Sequence, residues 1–539
     1  MKINKRYIKA GIFAAVCLFA IYIWTLPFQD NRTPYGEWDA ISHWELGDFI
    51  AQSDRTSVYL PPFLDFSYGD DNRYKPHTLW YHPQFHTDLA IISSFSADRM
   101  IPIFLTNAVF ASAILISVFF VVNRLFGFLP AILSSFILAF SMRDITPYLW
   151  GQWPERFGYA FLPLVLYCFY IYYLTYTKEK SRPIYLHIMG ILLAIELMIH
   201  PLSFFHSLVG IFVLGIALLI KTRKLPLKWK HIGITLAMFL ILLAIFPYQT
   251  GNVLVSFAQS STPEEKKYTP ITRLFQWSPN AEDFIGSVPE SYFSFKEMNG
   301  LWTLPFLLIG ILVLAVRREN RDIFLLAWLV SLYLVLHRDM IGKFTFLHRS
   351  LSATAHIFVP ITVVGALSLP SLIKMPGMHK DFLKYGIAVL IVALAFVYNM
   401  PSAYSALNNA YSSPLSRLNN AQVEVSEWLK DSIAEDQNVS IIGPIPEIMQ
   451  KVWWMASYSH RVSYYFEGFL TWKTFEKNRE ETIRYHLLND YIVFDYSDIA
   501  LLSNRSLVEQ WLEFEKQNMG NHKLLYNRNN IRVYKYEAP

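Results

Sequence analysis

The sequence predicts an all-α membrane domain of about eleven helical spans, followed by a small soluble α/β domain. Three observations predict it. Only 17% of the 539 residues are charged and 53% are hydrophobic, against about 25% charged in ordinary soluble domains. The apolar residues gather in runs close to the length a bilayer core requires, about 20 residues in a helix. Beyond about residue 415 the long runs give way to short segments of helical or alternating apolar period.

The first run, 8–27, follows Lys2, Lys5, Arg6 and Lys9. A signal peptide has the same look, but Pro27, Phe28, Gln29 and Asp30 follow without a small-x-small cleavage pattern, so the run reads as an uncleaved first span. Further runs fall at 101–123, 126–142, 158–176, 184–200, 202–220, 230–249, 300–316, 322–337, 350–373 and 383–400. The break at Pro201 either separates two spans or kinks one longer helix. With the N-terminus inside, the inner loops hold Arg124; Lys178, Lys180 and Arg182; Lys221, Arg223, Lys224, Lys228 and Lys230; Arg317, Arg318 and Arg321; Lys374, Lys380 and Lys384. Each is basic, as the positive-inside rule requires. The same parity places the long polar stretches 28–99, 251–299 and 401–539 outside. The expected division is a polytopic domain over 1–400 and an extracytoplasmic α/β domain over 401–539. Within that tail, 421–433 and 507–516 read as helices, and 439–442, 491–494 and 531–536 as strands. Cys17 and Cys168 lie in apolar runs and read as packed thiols, with neither a disulfide framework nor metal spacing.

The first outer loop is the richest in chemistry. It holds Glu37, Trp38, Asp39, His43, Glu45 and Asp48, then Asp70 and Asp71, then His77, His82 and His86. Asp39, His43 and Asp48 stand at roughly helical spacing and are expected to share a face. Carboxylates just outside a span bind a divalent cation or take a proton from a hydroxyl; a solvated, helix-capping loop is the plainer alternative. His82 and His86 fit one helix face, but without the H-E-x-x-H pattern, surface or hydrogen-bonded histidines are the simpler reading of the three. The turn with Asp144, Trp150, Trp153, Glu155 and Arg156 suits either lipid headgroups or the face of a sugar. Glu196, His200, His206, His337, Arg338, Asp339, His348, Arg349 and His356 collect near the outer ends of their runs. A charge at membrane depth costs at least ~2.5–3.5 kcal/mol, so this clustering points to a polar cavity, and an Arg there suits a phosphate through its planar fork. The loop 251–299, with Glu264, Glu265, Glu282 and Asp283 among prolines, has the length of a lid.

No phosphate-binding glycine loop, dinucleotide fingerprint or nucleophile elbow is present in the sequence, so neither a nucleotide cofactor nor nucleic acid is expected. The order of features resembles the GT-C superfamily of membrane glycosyltransferases. The resemblance rests on the first span followed by an outer loop with an acidic motif (Glu37-Trp38-Asp39), about eleven spans before an outer α/β tail, the stretch 151–164 (GQWPERFGYAFLPL), His200-Pro201, the stretch 344–365 (FTFLHRSLSATAHIFVPITVVG), and the closing 523–536 (KLLYNRNNIRVYKY). The motif is Glu-x-Asp rather than a plain acidic pair, and Trp453-Trp454 is followed by Met455-Ala456 rather than by the oligosaccharyltransferase-type continuation.

The resemblance implies transfer of a sugar from a polyprenyl-phosphate donor to an extracytoplasmic glycan, lipid or protein, by a multi-pass protein of the cell membrane. It implies Asp39 as base or metal ligand with Glu37 in support, His43 beside them, and Arg349 with His348 on the phosphate. His200, Trp153, Glu155 and Arg156 are the further substrate-binding candidates. A divalent cation, Mg or Mn, on Asp39 and Glu37 is the cofactor this arrangement admits. Two other readings stay open at this level: a transporter or export component for a lipid-linked sugar, and a catalytically silent scaffold of the same fold.

Overall fold

A computed structural model of the protein describes residues 5–36, 38–52, 82–226, 228–247, 249–251, 273–275, 277, 290–341, 347–372, 377–411, 417–434, 437–442, 449–464, 489–498 and 505–537. Each apolar run of the sequence is helical. The helices of the first part are α1 (Lys5–Trp24), α2 (Trp38–Gln52), α3 (Gln84–Ser93), α4 (Ile101–Phe126), α5 (Phe128–Leu138), α6 (Met142–Trp150), α7 (Trp153–Tyr159), α8 (Leu162–Thr177), α9 (Pro183–Ile199), α10 (Pro201–Thr222) and α11 (Trp229–Leu243). After them come α12 (Thr303–Arg317), α13 (Asn320–Leu336), α14 (Thr354–Leu372), α15 (Gly377–Leu394) and α16 (Met400–Asn408). Proline starts several of them: Pro154, Pro163, Pro183 and Pro201 occupy the first or second helical position, where a missing N–H leaves no hydrogen bond unmade. The break at Pro201 therefore separates two helices, with His200 extended between them.

Among the described residues, six helical segments are long and apolar enough to cross a membrane: Lys5–Trp24, Ile101–Phe126, Trp153–Thr177, Pro201–Thr222, His348–Ser371 and His379–Asn408. The pair α5 and α6, bent by 43°, makes a seventh if it is one span. Helices α9, α11 and α12 are apolar but shorter than these. The chain is a multi-pass membrane protein; among the described residues six or seven helices reach spanning length and composition, against the about eleven spans the sequence suggested. The last apolar helix continues past position 400 to Asn408.

The tail carries α17 (Asn420–Ser432), α18 (Met449–Ser459) and α19 (Arg505–Asn518), with a five-stranded sheet of β1 (Asn438–Ile442), β2 (Val462–Tyr464), β3 (Tyr491–Asp495), β4 (His522–Arg528) and β5 (Ile531–Tyr536). The order is β2-β1-β3-β5-β4, parallel through β2, β1 and β3 and antiparallel through β5 and β4. The predicted strands at 439–442, 491–494 and 531–536 are present; β2, β4 and α18 are additional. β3 is buried along its whole length, which explains its unbroken apolar run. Asn529 and Asn530, both at positive φ, close the β4–β5 hairpin, the conformation that lets a two-residue turn follow the twist of its strands.

Helices α12 and α14 meet where both carry glycine. A Cβ on Gly310 would lie 2.3 Å from the Ile361 carbonyl oxygen, and one on Gly365 would lie 2.4 Å from that of Phe306. Small residues permit this backbone contact between membrane helices. Gly365→Val is expected to destabilise the folded chain by about 1–3 kcal/mol or more through forced separation of the pair. Gly386→Val, where a Cβ meets nothing within 4 Å, is the control; thermal unfolding in detergent reads the difference.

Candidate active site

Asp39 stands in the first turn of α2. Two glycines at positive φ set that turn in place: Gly36 (φ +117) just before it and Gly151 (φ +92) at the α6–α7 corner. A Cβ on Gly151 would lie 2.0 Å from the Ala40 nitrogen, so the corner touches the backbone of α2 beside Asp39, a contact only glycine allows. Arg349 lies on the short helix Leu347–Ser350, immediately ahead of α14. Its Nη2 donates to Asp39 Oδ2 at 2.6 Å. The side chains are 21% and 32% exposed, so this pair, unlike the ion pairs beneath it, is reached from solvent.

Beneath it lies a buried polar cluster. Glu155 is buried and within electrostatic reach of Arg349, Asp39 and Arg338. Arg338 Nη1 donates to Ser350 Oγ at 2.8 Å, and His206 Nε2 stands 3.1 Å from the same oxygen and 3.4 Å from the Tyr159 hydroxyl. Farther in, Asp144 takes both Arg156 and His356, all three fully buried. His200 and His348 both lie in the field of Arg349, and the His200 ring also accepts the Leu202 N–H at 3.3 Å, capping α10. His43 Nδ1 stands 2.9 Å from His86 Nε2, with His200 and Arg349 close enough to act on it. Burial and the neighbouring charges hold His43 well below the usual imidazole range, and burial holds His86 down to about 3.

Four expectations change. Asp48 does not share the face of Asp39: nine positions along a helix amount to half a turn beyond two full ones, and Asp48 faces Arg99 and His460 instead. Trp153 is neither a headgroup nor a sugar-stacking residue. It is 2% exposed, its ring packs edge-on against Phe104 at 5.4 Å, and its Nε1 donates to the Tyr148 carbonyl. Arg156 is held by Asp144 inside the bundle and so is not a surface substrate contact. Glu155 is buried, within electrostatic reach of Arg349, and so is not a group at the surface. Glu37, His77 and the acidic residues of 252–272 and 278–289 lie outside the described residues, so the lid reading of that loop lies there too.

Of the two expected cation ligands, Glu37 lies outside the described residues and Asp39 is engaged by Arg349. His82 Nε2 bonds the Thr250 hydroxyl, His86 bonds His43, and among the described residues no three His, Cys, Asp or Glu converge as a cation site.

A family model described as a family of unknown function, DUF6541, matches residues 5–441. The chain belongs to that family. No curated protein matches this DUF6541 protein by sequence. Solved structures resemble it along nearly its whole length. The archaeal oligosaccharyltransferase AglB from Archaeoglobus fulgidus, in complex with an inhibitory peptide and a dolichol-phosphate, aligns over 99% of this chain and 74% of its own, at 12% identity and TM-score 0.56. ArnT from Cupriavidus metallidurans aligns over 98% of both chains, at 8% and 0.58. The arabinofuranosyltransferase AftD from Mycobacteria aligns over 100% of this chain and 40% of its own, at 11% and 0.56. The DUF6541 protein thus shares its fold with these structures.

Sequence reasoning picked out Asp39, Arg349, His43, His200 and His348, which the fold gathers around one pair. It left Arg338, His206, Tyr159 and Ser350 without roles. The position of Arg338 and His206 at the outer ends of apolar runs was the available signal, since an ionisable residue at membrane depth faces the protein interior.

Acid is expected to loosen the α2–α3 contact. His86 stays neutral when folded down to about pH 3, whereas an unfolded His protonates near pH 6.5. Between those values the unfolded chain binds the extra proton, so stability falls as pH falls through the window. From pH 6.5 to 5, His86 alone accounts for about 2 kcal/mol. The drop in Tm in detergent between pH 7.5 and 5 should shrink in His86→Gln.

Proposed function

We propose that this DUF6541 protein transfers a sugar from a polyprenyl-phosphate-linked donor to an acceptor hydroxyl on a glycan, lipid or protein outside the cell membrane. The observation that carries the reading is the solvent-reached pairing of Asp39 with Arg349, residues far apart in sequence, on a GT-C fold. AglB, whose structure holds a dolichol-phosphate, and AftD, an arabinofuranosyltransferase, support the class of reaction. We also take the N-terminus as cytoplasmic and 28–99, 251–299 and the tail from about 401 as extracytoplasmic; the basic loops on the opposite side support that orientation.

The chemistry asks little of the protein beyond charge and position. The acceptor oxygen attacks the anomeric carbon, and the bond from that carbon to the phosphate oxygen breaks. The lipid phosphate departs with the electron pair, and the hydroxyl proton passes to Asp39. Arg349 presents a planar fork of N–H donors, suited to a phosphate as it forms. An arriving phosphate draws on the guanidinium that now holds Asp39, which leaves the carboxylate to act as base. Glu155 and Arg338, in fixed positions below, keep the field of Arg349 oriented. His348 and His200 flank the guanidinium as neutral partners for the donor.

Asp39→Asn and Arg349→Ala are each expected to lower transfer by roughly 100-fold or more, the range of a general base or an anion-stabilising group. Arg349→Lys should retain part of the activity, keeping the charge without the fork. Mass spectrometry of surface glycans from a deletion strain carrying each variant reads the result. Wild-type glycans from the Asp39→Asn strain, with protein present in the membrane, would exclude the assignment.

A further inference from the structure

Helix α2 has two working faces, and only one belongs to the candidate active site. Asp39 and His43 point toward Arg349, His86 and His200. The other face, with Glu45, Asp48 and Gln52, is gripped by the tail. Arg99 holds both carboxylate oxygens of Asp48, at 3.1 Å and 2.5 Å, and its Nη2 also donates to the Tyr458 carbonyl at 2.9 Å. His460 Nε2 stands 2.7 Å from Asp48 Oδ2. Ser457 donates to Glu45, and Lys430 donates to Gln52 at 2.9 Å. The Trp44 ring stacks on Tyr458 at 5.4 Å and meets Trp454 edge-on, while Trp454 Nε1 donates to the Gly36 carbonyl. The guanidinium of Arg99 also lies over the Tyr458 ring.

We propose that Asp48, Arg99 and His460 are positioning residues for transfer, locking the roll of α2 so that Asp39 meets Arg349; this rests on Asp39 being the base. A helix is stiff along its axis, so a rotation allowed at Asp48 is delivered to Asp39, nine residues or about 13.5 Å away. At a side-chain radius of about 6 Å, a roll of 10° moves the carboxylate by about 1 Å, and a misplacement of about 1 Å costs on the order of 100-fold in rate. The lock is well made for this task. A bidentate Arg–carboxylate pair fixes direction as well as distance, and Asp48 is fully buried while Arg99 is 10% exposed, so solvent does not loosen it. The lock also makes the tail part of the active unit: two of its partners, Tyr458 and His460, come from α18 and the residue after it.

The test uses the full chain in membranes. In a Cys17→Ser/Cys168→Ser background, Asp39→Cys and Arg349→Cys are joined by a short bifunctional thiosulfonate, and the crosslinked fraction of folded protein is measured. Arg99→Lys keeps the charge on Asp48 but lacks the fork; His460→Asn removes the ring while leaving the Arg99 pair. Each should lower crosslinking at least about fivefold. With Asp39 and Arg349 intact, each should also lower kcat roughly 10- to 100-fold without raising KM for the lipid-linked donor. Loss of stability with unchanged crosslinking of the folded fraction in both variants would overturn the proposal, because a merely structural contact would not move the Asp39–Arg349 distance. If the wild-type chain shows no transfer while crosslinking still depends on Arg99 and His460, the lock stands and the transferase reading fails. If transfer is normal in both variants, the lock fails and the transferase reading stands.

Discussion

A charge inside an apolar helical bundle must find a partner, and that requirement ties this protein together. Arg156 with Asp144, between the successive helices α6 and α7, and Arg273 with Asp339, between segments far apart in the chain, are fully buried pairs. Leaving either partner alone costs several kcal/mol, about 3–5 for a buried pair broken on one side. Each pair therefore fixes which helices are neighbours. Arg349 with Asp39 obeys the same rule at the rim, where partial exposure lets another anion compete for the guanidinium. The step from structural to functional pairing is one of depth, since the same two groups in the core would be committed to each other.

The loop helix α2 converts this network into a site. It lies between the transmembrane bundle and the tail and presents carboxylates to both. Glycine at 36 and 151 brings a corner of the bundle against its start, and the aromatic and ionic contacts of Trp44, Asp48 and Gln52 fix its far half. Burial shapes the chemistry of this region. Asp48 is pushed up by desolvation, but hydrogen bonds from His460 and Arg99 prevail and hold it below its usual range. The Ser457 hydroxyl donates to Glu45, but desolvation keeps that carboxyl well above the usual range. Two carboxylates three residues apart thus carry opposite tendencies: the hydrogen bonds of His460 and Arg99 hold Asp48 down, and burial holds Glu45 up.

The comparisons and the site carry different parts of the conclusion. Likeness at 8–12% identity fixes the GT-C architecture, and an architecture hosts more than one activity. The site itself holds a solvent-reached carboxylate beside a guanidinium, above a buried set of polar and ionisable groups. That combination suits a phosphate leaving group and a hydroxyl acceptor.

By itself the sequence determined that this is a multi-pass membrane protein with an α/β tail, because apolar length and period are local properties read directly from the residues. It also marked Asp39, by its acidic and histidine neighbours in the first outer loop, and Arg349, since ionisable groups at the ends of apolar runs are costly wherever they lie. Where those groups point, and what they meet, was decided only by the tertiary structure. Asp48 lay at a spacing close enough to helical to suggest the face of Asp39, but half a turn of rotation sends it to the tail. Trp153 had the composition of an interface residue, but packing against Phe104 made it core. Period assigns a residue to a helix; which side of that helix is occupied, and by which distant segment, depends on contacts between residues hundreds of positions apart.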